Sequence, residues 1–188
     1  MRAVQISDPH VDFEYQVGSD SQCGGFLCCR ASNGFPSDPN RMAGPWGSYQ
    51  CDLPPAALKN MLDFVRDEIK PDLFFWTGDN SPHNVWANNN SEVGNSTRNI
   101  TLAIQAAFNG TNISVYPIQG NHDTWPVNVQ DFSLPNTNIP INAFSGNWAD
   151  WLDNETLTQF RTYGYYSTPL KLKDGRLFNN TRIIGVNT

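Results

Sequence analysis

The sequence predicts an α/β fold, in which a parallel or mixed sheet carries helices on its faces. Three observations lead there. β-prone or apolar runs alternate with segments of helical periodicity. Three of those runs lead into polar clusters that together hold every histidine of the chain, His10, His83 and His122. The bulk composition, 188 residues with 39% hydrophobic and 16% charged, suits one domain with a buried core.

The elements follow in order. Ala3 to Ser7 is β-prone and ends at Asp8-Pro9-His10. A Gly-, Pro-, Ser- and Cys-rich loop then runs over about residues 18–52, and loops this long are functional or cross-linked. Pro54 and Pro55 suit the first turn of a helix, with Asp52 as its cap. Leu58, Met61, Leu62, Val65 and Ile69 recur at helical spacing, and Pro71 ends the pattern. Residues 72–77 (DLFFWT) read as a strand covered on both faces, ending at Gly78-Asp79-Asn80. A second helix over 97–108 aligns Ile100, Ile104, Ala107 and Phe108. Ser114 to Ile118 is the next strand, ending at Gly120-Asn121-His122-Asp123. A polar, Pro-rich loop, helices near 143–152 and 155–162, and strands at 163–168 and 182–187 complete the chain. In such sheets ligands bind beyond the carboxyl ends of the strands, where the histidine clusters fall.

Composition narrows the function classes. A net charge of −6 argues against general nucleic-acid binding. No apolar run approaches the roughly 18–20 residues of a membrane helix. The four cysteines, Cys23, Cys28, Cys29 and Cys51, lie together. Adjacent Cys28 and Cys29 are poorly placed to pair, which leaves 23–28 with 29–51, or 23–29 with 28–51. The Cys23–Cys28 spacing does not match a C-x₂-C zinc knuckle. Asparagine is abundant, at 22 residues, and N-x-S/T sequons start at Asn89, Asn95, Asn99, Asn109, Asn112, Asn154 and Asn179. Sequons beside a cysteine cluster point to a secreted or lysosomal glycoprotein. Residues 1–8 read at once as a strand rather than as a signal segment, so the chain is expected to be a portion of a longer one.

The clusters carry the chemistry. Asp8 and His10 can converge from one turn, and a carboxylate with an imidazole suits zinc, iron or manganese. Alone, D-x-H is a weak signal, and Gly78-Asp79-Asn80 reads first as a turn. Gly120-Asn121-His122-Asp123 is rarer, with a chance occurrence on the order of one in a few hundred. Three such clusters in order, each at a strand end, outweigh the plainer readings.

Asp-x-His, Gly-Asp and Gly-Asn-His-Asp in this order resemble the calcineurin-like metallophosphoesterases. Asp8–Tyr15, Cys28–Arg30, Gln50–Pro54, Trp76–Asp79, Pro82–Trp86, Gly120–Asn128, Trp148–Leu152 and Gly164–Tyr166 are similar to the acid sphingomyelinase family within that group. The resemblance implies a sheet-and-helix sandwich over residues 1–188, here incomplete. It implies two zinc ions: Asp8 and His10 on the first, Asp79 bridging, Asn121 on the second. It implies a bridging hydroxide that attacks phosphorus, with His122 protonating the leaving alkoxide and His83 as its partner or substitute. It also implies the Cys23–Cys28 and Cys29–Cys51 pairing. The implied substrate is a phosphodiester, sphingomyelin at a membrane surface, giving ceramide and phosphocholine. Two alternatives stand beside it: a phosphodiesterase of nucleotides or other soluble phosphoesters, and a non-catalytic secreted glycoprotein that keeps the fold. Trp46, Trp86 and Trp125 suit a choline cradle as well as ordinary packing. The family's further His ligand and Gly-His-x-His segment have no counterpart, since no histidine follows His122. The second metal site therefore lacks ligands, and residues 1–188 alone are expected to be inactive and unstable.

Overall fold

The structure is a computed structural model that describes residues 1–133 and 139–187. Residues 134–138 of the expected Pro-rich loop, and Thr188, lie outside the described residues. Strands β1 (Ala3–Ile6), β2 (Leu73–Trp76) and β3 (Ser114–Pro117) form a parallel sheet in the order β1-β2-β3. Ile6 pairs with Trp76 and Trp76 with Pro117, so the three strands end level at one sheet edge. The apolar run DLFFWT behaves as its composition demands: Leu73, Phe74 and Trp76 are buried, and Phe74 and Trp76 are fully so. Burying each such side chain contributes about 1.5–3 kcal/mol.

Helix α1 (Pro55–Phe64) starts on Pro54, with Pro55 at its first position. This corrects the expectation that Asp52 caps it; the Asp52 carboxylate points elsewhere, into the site described below. The helix continues as a π-helical turn over Val65–Ile69 and stops at Lys70, whose backbone is left-handed with φ 49°. Helix α2 (Asn90–Phe108) begins seven residues earlier than its apolar pattern indicates. The reason is a cap: the Asn89 side chain accepts from Ser91 N and Glu92 N at 2.9 and 3.1 Å. Val93, Ile100, Ile104 and Phe108 turn inward, and the Phe108 ring meets Phe74 edge-on.

The expected helix near 143–152 is displaced and divided. Helix α3 spans Ile139–Ser145, and a short 3₁₀ turn over Gly146–Trp148 follows. Gly146 weakens helical continuation, and the turn delivers Trp148 into the core, where it packs on Trp76 and Phe160 and donates to Thr101 Oγ1. Helix α4 (Asn154–Tyr163) is capped by Asp153 and closed by Gly164.

Strands β4 (Tyr166–Lys171) and β5 (Leu177–Gly185) form a separate antiparallel pair, not a continuation of the first sheet. The turn at Asp174-Gly175, with Gly175 at φ 92°, sends β5 back along β4. Two tyrosines fasten this hairpin to the parallel sheet: Tyr166 donates to the Pro117 carbonyl, and Tyr116 to that of Lys171, at 2.8 and 2.7 Å. Among the described residues no helix is long and apolar enough to cross a membrane.

Candidate metal centre

The site grows from the three level strand ends. The segment leaving β1 lies against the segment leaving β2 through backbone bonds: Asp8 N to Gly78 O, His10 N to Asp79 O and Val11 N to Asn80 O. Asp8, His10 and Asp79 adopt left-handed backbone at φ 52°, 35° and 59°, a conformation non-glycine residues seldom take. Such outliers persist only where the surroundings over-determine them, and they cluster at functional sites.

Two glycines make the close approach possible. A Cβ on Gly78, itself at φ 81°, would sit 2.1 Å from Gly120 N. A Cβ on Gly120 would sit 2.2 Å from Asp79 Oδ1. Gly120 is in ordinary extended backbone, so space rather than a sharp turn explains the glycine of the Gly-Asn-His-Asp motif. Asp123 ties the loops together. Fully buried, its carboxylate accepts from the backbone N–H groups of Asp79, Asn80 and Gly120 at 2.8–2.9 Å, and from the Asn80 side chain at 2.9 Å. Burial pushes this carboxyl upward, and the backbone donors pull it back.

The side chains then converge. Asp8, His10 and Asp79 offer ligand atoms within 4.8 Å of one another, and so do His10, His83 and His122. His10 belongs to both groups. Its Nδ1 lies 2.7 Å from the Ser81 carbonyl, which can only accept, so Nδ1 donates there and Nε2, 3.9 Å from Asp79 Oδ2, is the ring nitrogen that faces the site. Asp79 Oδ1 accepts from His122 N at 2.7 Å. Asn121 sits half-buried on the same turn, and its Nδ2 donates to Asn128 Oδ1 at 2.7 Å. That bond fixes the amide orientation and turns Oδ1 into the available donor atom.

Electrostatics favour a cation here. Partial burial, then the neighbouring Asp79, pushes the Asp8 carboxyl above its usual range. Burial, then His10, holds His122 below the ordinary histidine value, and its Nδ1 is buried with no partner among the described residues. Two crowded carboxylates beside three imidazoles form the donor set a borderline divalent ion prefers, so these residues fit a metal.

His83 is positioned from outside the sheet. Asp52 accepts from His83 N and from its Nδ1, both at 2.7 Å, and the His83 ring lies 3.9 Å from that of His10. Asp52 follows Cys51, which is bonded to Cys29; Cys23 is bonded to Cys28. The loop is further anchored by Arg30, whose guanidinium grips the buried Asp12 with bonds of 2.8 and 3.0 Å. A cleft of about 590 Å³ opens beside Asp8 and His10, bordered by Trp46, Tyr49, Asp52 and His83.

Sequence reasoning had singled out Asp8, His10, Asp79, His83, Asn121 and His122. It missed Asp52 as the partner of His83, Asn128 as the partner of Asn121, and the Asp12–Arg30 pair. Asp52 lies within the Gln50–Pro54 motif, where its place before Pro54 suggests a helix cap instead of a histidine partner. Nothing in the sequence pairs Asp12 with Arg30.

Comparison with known proteins agrees with this geometry. The family model for calcineurin-like phosphoesterase matches residues 1–185. Sphingomyelin phosphodiesterase B of Dictyostelium discoideum is 36% identical over 100% of this chain and 28% of its own length. The human sphingomyelin phosphodiesterase is 34% identical over 88% of this chain and 27% of its own. The bovine cyclic GMP-AMP phosphodiesterase SMPDL3A is 35% identical over 97% and 37%, respectively. The chain thus spans well under half the length of these relatives. A parallel sheet whose strand ends gather Asp8, His10, Asp79 and the Gly120–Asp123 turn, matched by the family model over nearly its whole length, makes this chain a member of the calcineurin-like phosphoesterase family.

Proposed function

We propose that this chain forms part of the active site of a zinc-dependent phosphodiesterase that hydrolyses sphingomyelin to ceramide and phosphocholine. The observation that carries the reading is the meeting of an Asp8–His10–Asp79 group and a His10–His83–His122 group at one sheet edge. In this reading Asp8, His10 through Nε2, Asp79 and Asn121 through Oδ1 hold the metal ions. A bound zinc pair supplies Lewis-acid polarisation of the phosphoryl oxygens and neutralises charge as the phosphorus is attacked. Ser81 and Asn128 hold His10 and Asn121 in their ligating orientations.

The remaining work belongs to protons. Water gives up one proton to solvent as its oxygen bonds to phosphorus, the bond from phosphorus to the ceramide oxygen breaks with its electron pair, and that oxygen takes a proton from His122. His83, aligned by Asp52, stands beside His122 with ring centroids 5.1 Å apart and can restore the proton or replace the donor. The two disulfides support a secreted or lysosomal setting for this chemistry.

A second reading, a phosphodiesterase of soluble nucleotides, is favoured by one observation. The relative named for cyclic GMP-AMP is as similar as those named for sphingomyelin. The deciding experiment gives the full-length protein sphingomyelin vesicles or a cyclic dinucleotide, with and without chelation and zinc restoration. Phosphocholine release that disappears on chelation and returns with zinc supports the first reading. Turnover of the dinucleotide alone replaces it with the second, and turnover of neither overturns both.

A further inference from the structure

Beneath the metal centre lies a polar cluster that the proposed reaction does not use. Trp76, Asn80, Thr97 and Asp123 are all fully buried, yet each brings a polar group to the same point. The Trp76 indole N–H donates to Asn80 Oδ1 at 2.9 Å. That bond orients the amide, so Nδ2 faces Asp123 Oδ1 at 2.9 Å and Thr97 Oγ1 at 3.3 Å. The Thr97 hydroxyl in turn donates to Asp123 Oδ1 at 3.3 Å. With the backbone N–H groups of Asp79, Asn80 and Gly120, the carboxylate collects five donors, none of them a cation.

The two oxygens of Asp123 do different work. Oδ2 accepts from Asp79 N and Gly120 N, and so holds the two loops at their closest approach. Oδ1 accepts from Asn80 N, the Asn80 side chain and Thr97. Asp79 needs this hold, because its left-handed backbone at φ 59° lasts only where the surroundings impose it. Thr97 belongs to α2, far in sequence from all three strand-end clusters. Apolar packing of that helix asks for no hydroxyl there, and a buried hydroxyl is costly unless it is bonded. Thr101, one turn on and equally buried, supplies the contrast: its hydroxyl donates to the Thr97 carbonyl and accepts from Trp148, well away from the Asp123 carboxylate's bonds.

We propose that Asn80 and Thr97 are positioning residues of the metal centre. Through Oδ1 they lock the Asp123 carboxylate, and through Oδ2 that carboxylate locks the Asp79 backbone in the orientation that presents its side chain to a metal ion. Helix α2 thereby belongs to the apparatus that holds the ligands. The inference rests on the reading of Asp79 as a metal ligand.

The test titrates metal-free full-length protein with zinc alone by calorimetry, and with cobalt(II) by visible absorption. The parent should bind and Asp79→Asn should lose that binding; equal binding by the two overturns the ligand reading and this inference with it. Thr97→Val keeps the shape and deletes the hydroxyl. It is expected to weaken zinc binding about tenfold and to alter the cobalt(II) bands, and Thr97→Ser should restore both. Thr101→Val deletes an equally buried hydroxyl, which like that of Thr97 completes an N-x-T sequon. It should lower the melting temperature yet keep the parent zinc affinity and cobalt(II) spectrum. If Asp79→Asn loses zinc while Thr97→Val and Thr101→Val bind it alike, the inference alone is overturned. Trp76→Phe, which removes the indole donor to Asn80, carries the test should Thr97→Val not fold. A measurable loss of zinc affinity is expected there too, and parent affinity overturns the inference.

Discussion

The parallel sheet and the cystine loop deliver groups to the same site by different physics. On the sheet side, Phe74, Trp76, Ile100, Ile104 and Trp148 are fully buried, and order comes from apolar packing. The loop over residues 18–52 contains no regular strand or α-helix. It is held by two disulfides, by the Asp12–Arg30 and Asp20–Arg41 ion pairs, and by cross-loop backbone bonds such as Gly18 N to Ala43 O. The sheet fixes Asp8, His10, Asp79 and the Asn121-His122 turn, whereas the loop fixes His83 through Asp52. The metal-ligand candidates thus rest on the hydrophobic core, while one candidate proton carrier rests on covalent cross-links.

This contrast can be broken from either side. The largest effect is expected from Phe74→Ala, which empties the centre of the sheet and should cost about 3–5 kcal/mol. Denaturant unfolding of the full-length protein should show that loss together with weakened zinc binding. Next comes Cys29→Ser with Cys51→Ser. Opening a loop whose ends are 22 residues apart should cost about 3 kcal/mol. If the loop matters to the site chiefly through Asp52, this variant should lose rate while still binding zinc; intact turnover would show that His83 needs no such support.

A narrower change sharpens the division. Asp52→Asn keeps an acceptor for His83 N but removes the carboxylate partner of Nδ1. We expect a loss of about 10–100-fold in kcat with the melting temperature and zinc affinity unchanged. An unchanged rate would remove His83 from the mechanism.

pH offers a gentler probe. Burial, then His10, holds His122 below the ordinary value of 6.5, against the opposing pull of Asp79. Its imidazole therefore takes up a proton only below that value, so a rate that needs the proton should rise as pH falls into the acid range. A bound cation pushes in the same direction. The unfolded chain binds this proton at higher pH than the folded chain, so His122's contribution to stability is present above 6.5 and lost as pH falls through the folded value. His122→Gln should flatten the acid-side rise in kcat/KM, and an unaltered profile would assign the titration elsewhere.

The smallest effect is expected at Asp8. Its raised carboxyl binds protons more tightly folded than unfolded, so its favourable contribution is present below the usual 3.8 and lost as pH rises through the folded value. At neutral pH the charged group opposes folding. Asp8→Asn should therefore slightly raise the melting temperature of metal-free protein while weakening zinc binding in titration calorimetry. A lower melting temperature would show that Asp8 supports the fold directly.

Much of this arrangement was legible in the chain. Alternating apolar runs and helical spacing located β1, β2 and β3, because a strand covered on both faces has no polar alternative at Phe74 or Trp76. The polar clusters after them were legible because parallel strands bring their carboxyl ends to one edge. Other features were hidden by their nature. The Asn89 cap extends α2 through a polar segment without apolar periodicity. Gly120 looks like a turn residue in sequence, yet its role is to leave room for Asp79 Oδ1. Asp52 has the local context of a helix cap, and only the path of the residue 82–88 segment brings His83 to it.

The sequence by itself determined the alternation of strand and helix, the six candidate site residues and the apolar faces that carry Leu58, Leu62, Phe74, Trp76, Ile100 and Ile104. Periodicity and motif spacing are local properties that survive without contacts. Tertiary structure decided the rest. It selected the 23–28 and 29–51 disulfides over their rival and set β4 and β5 apart as an antiparallel hairpin. It also gave His83 its carboxylate. Each of these depends on which distant segments meet, and that is fixed by packing and chain crossing rather than by any one stretch of residues.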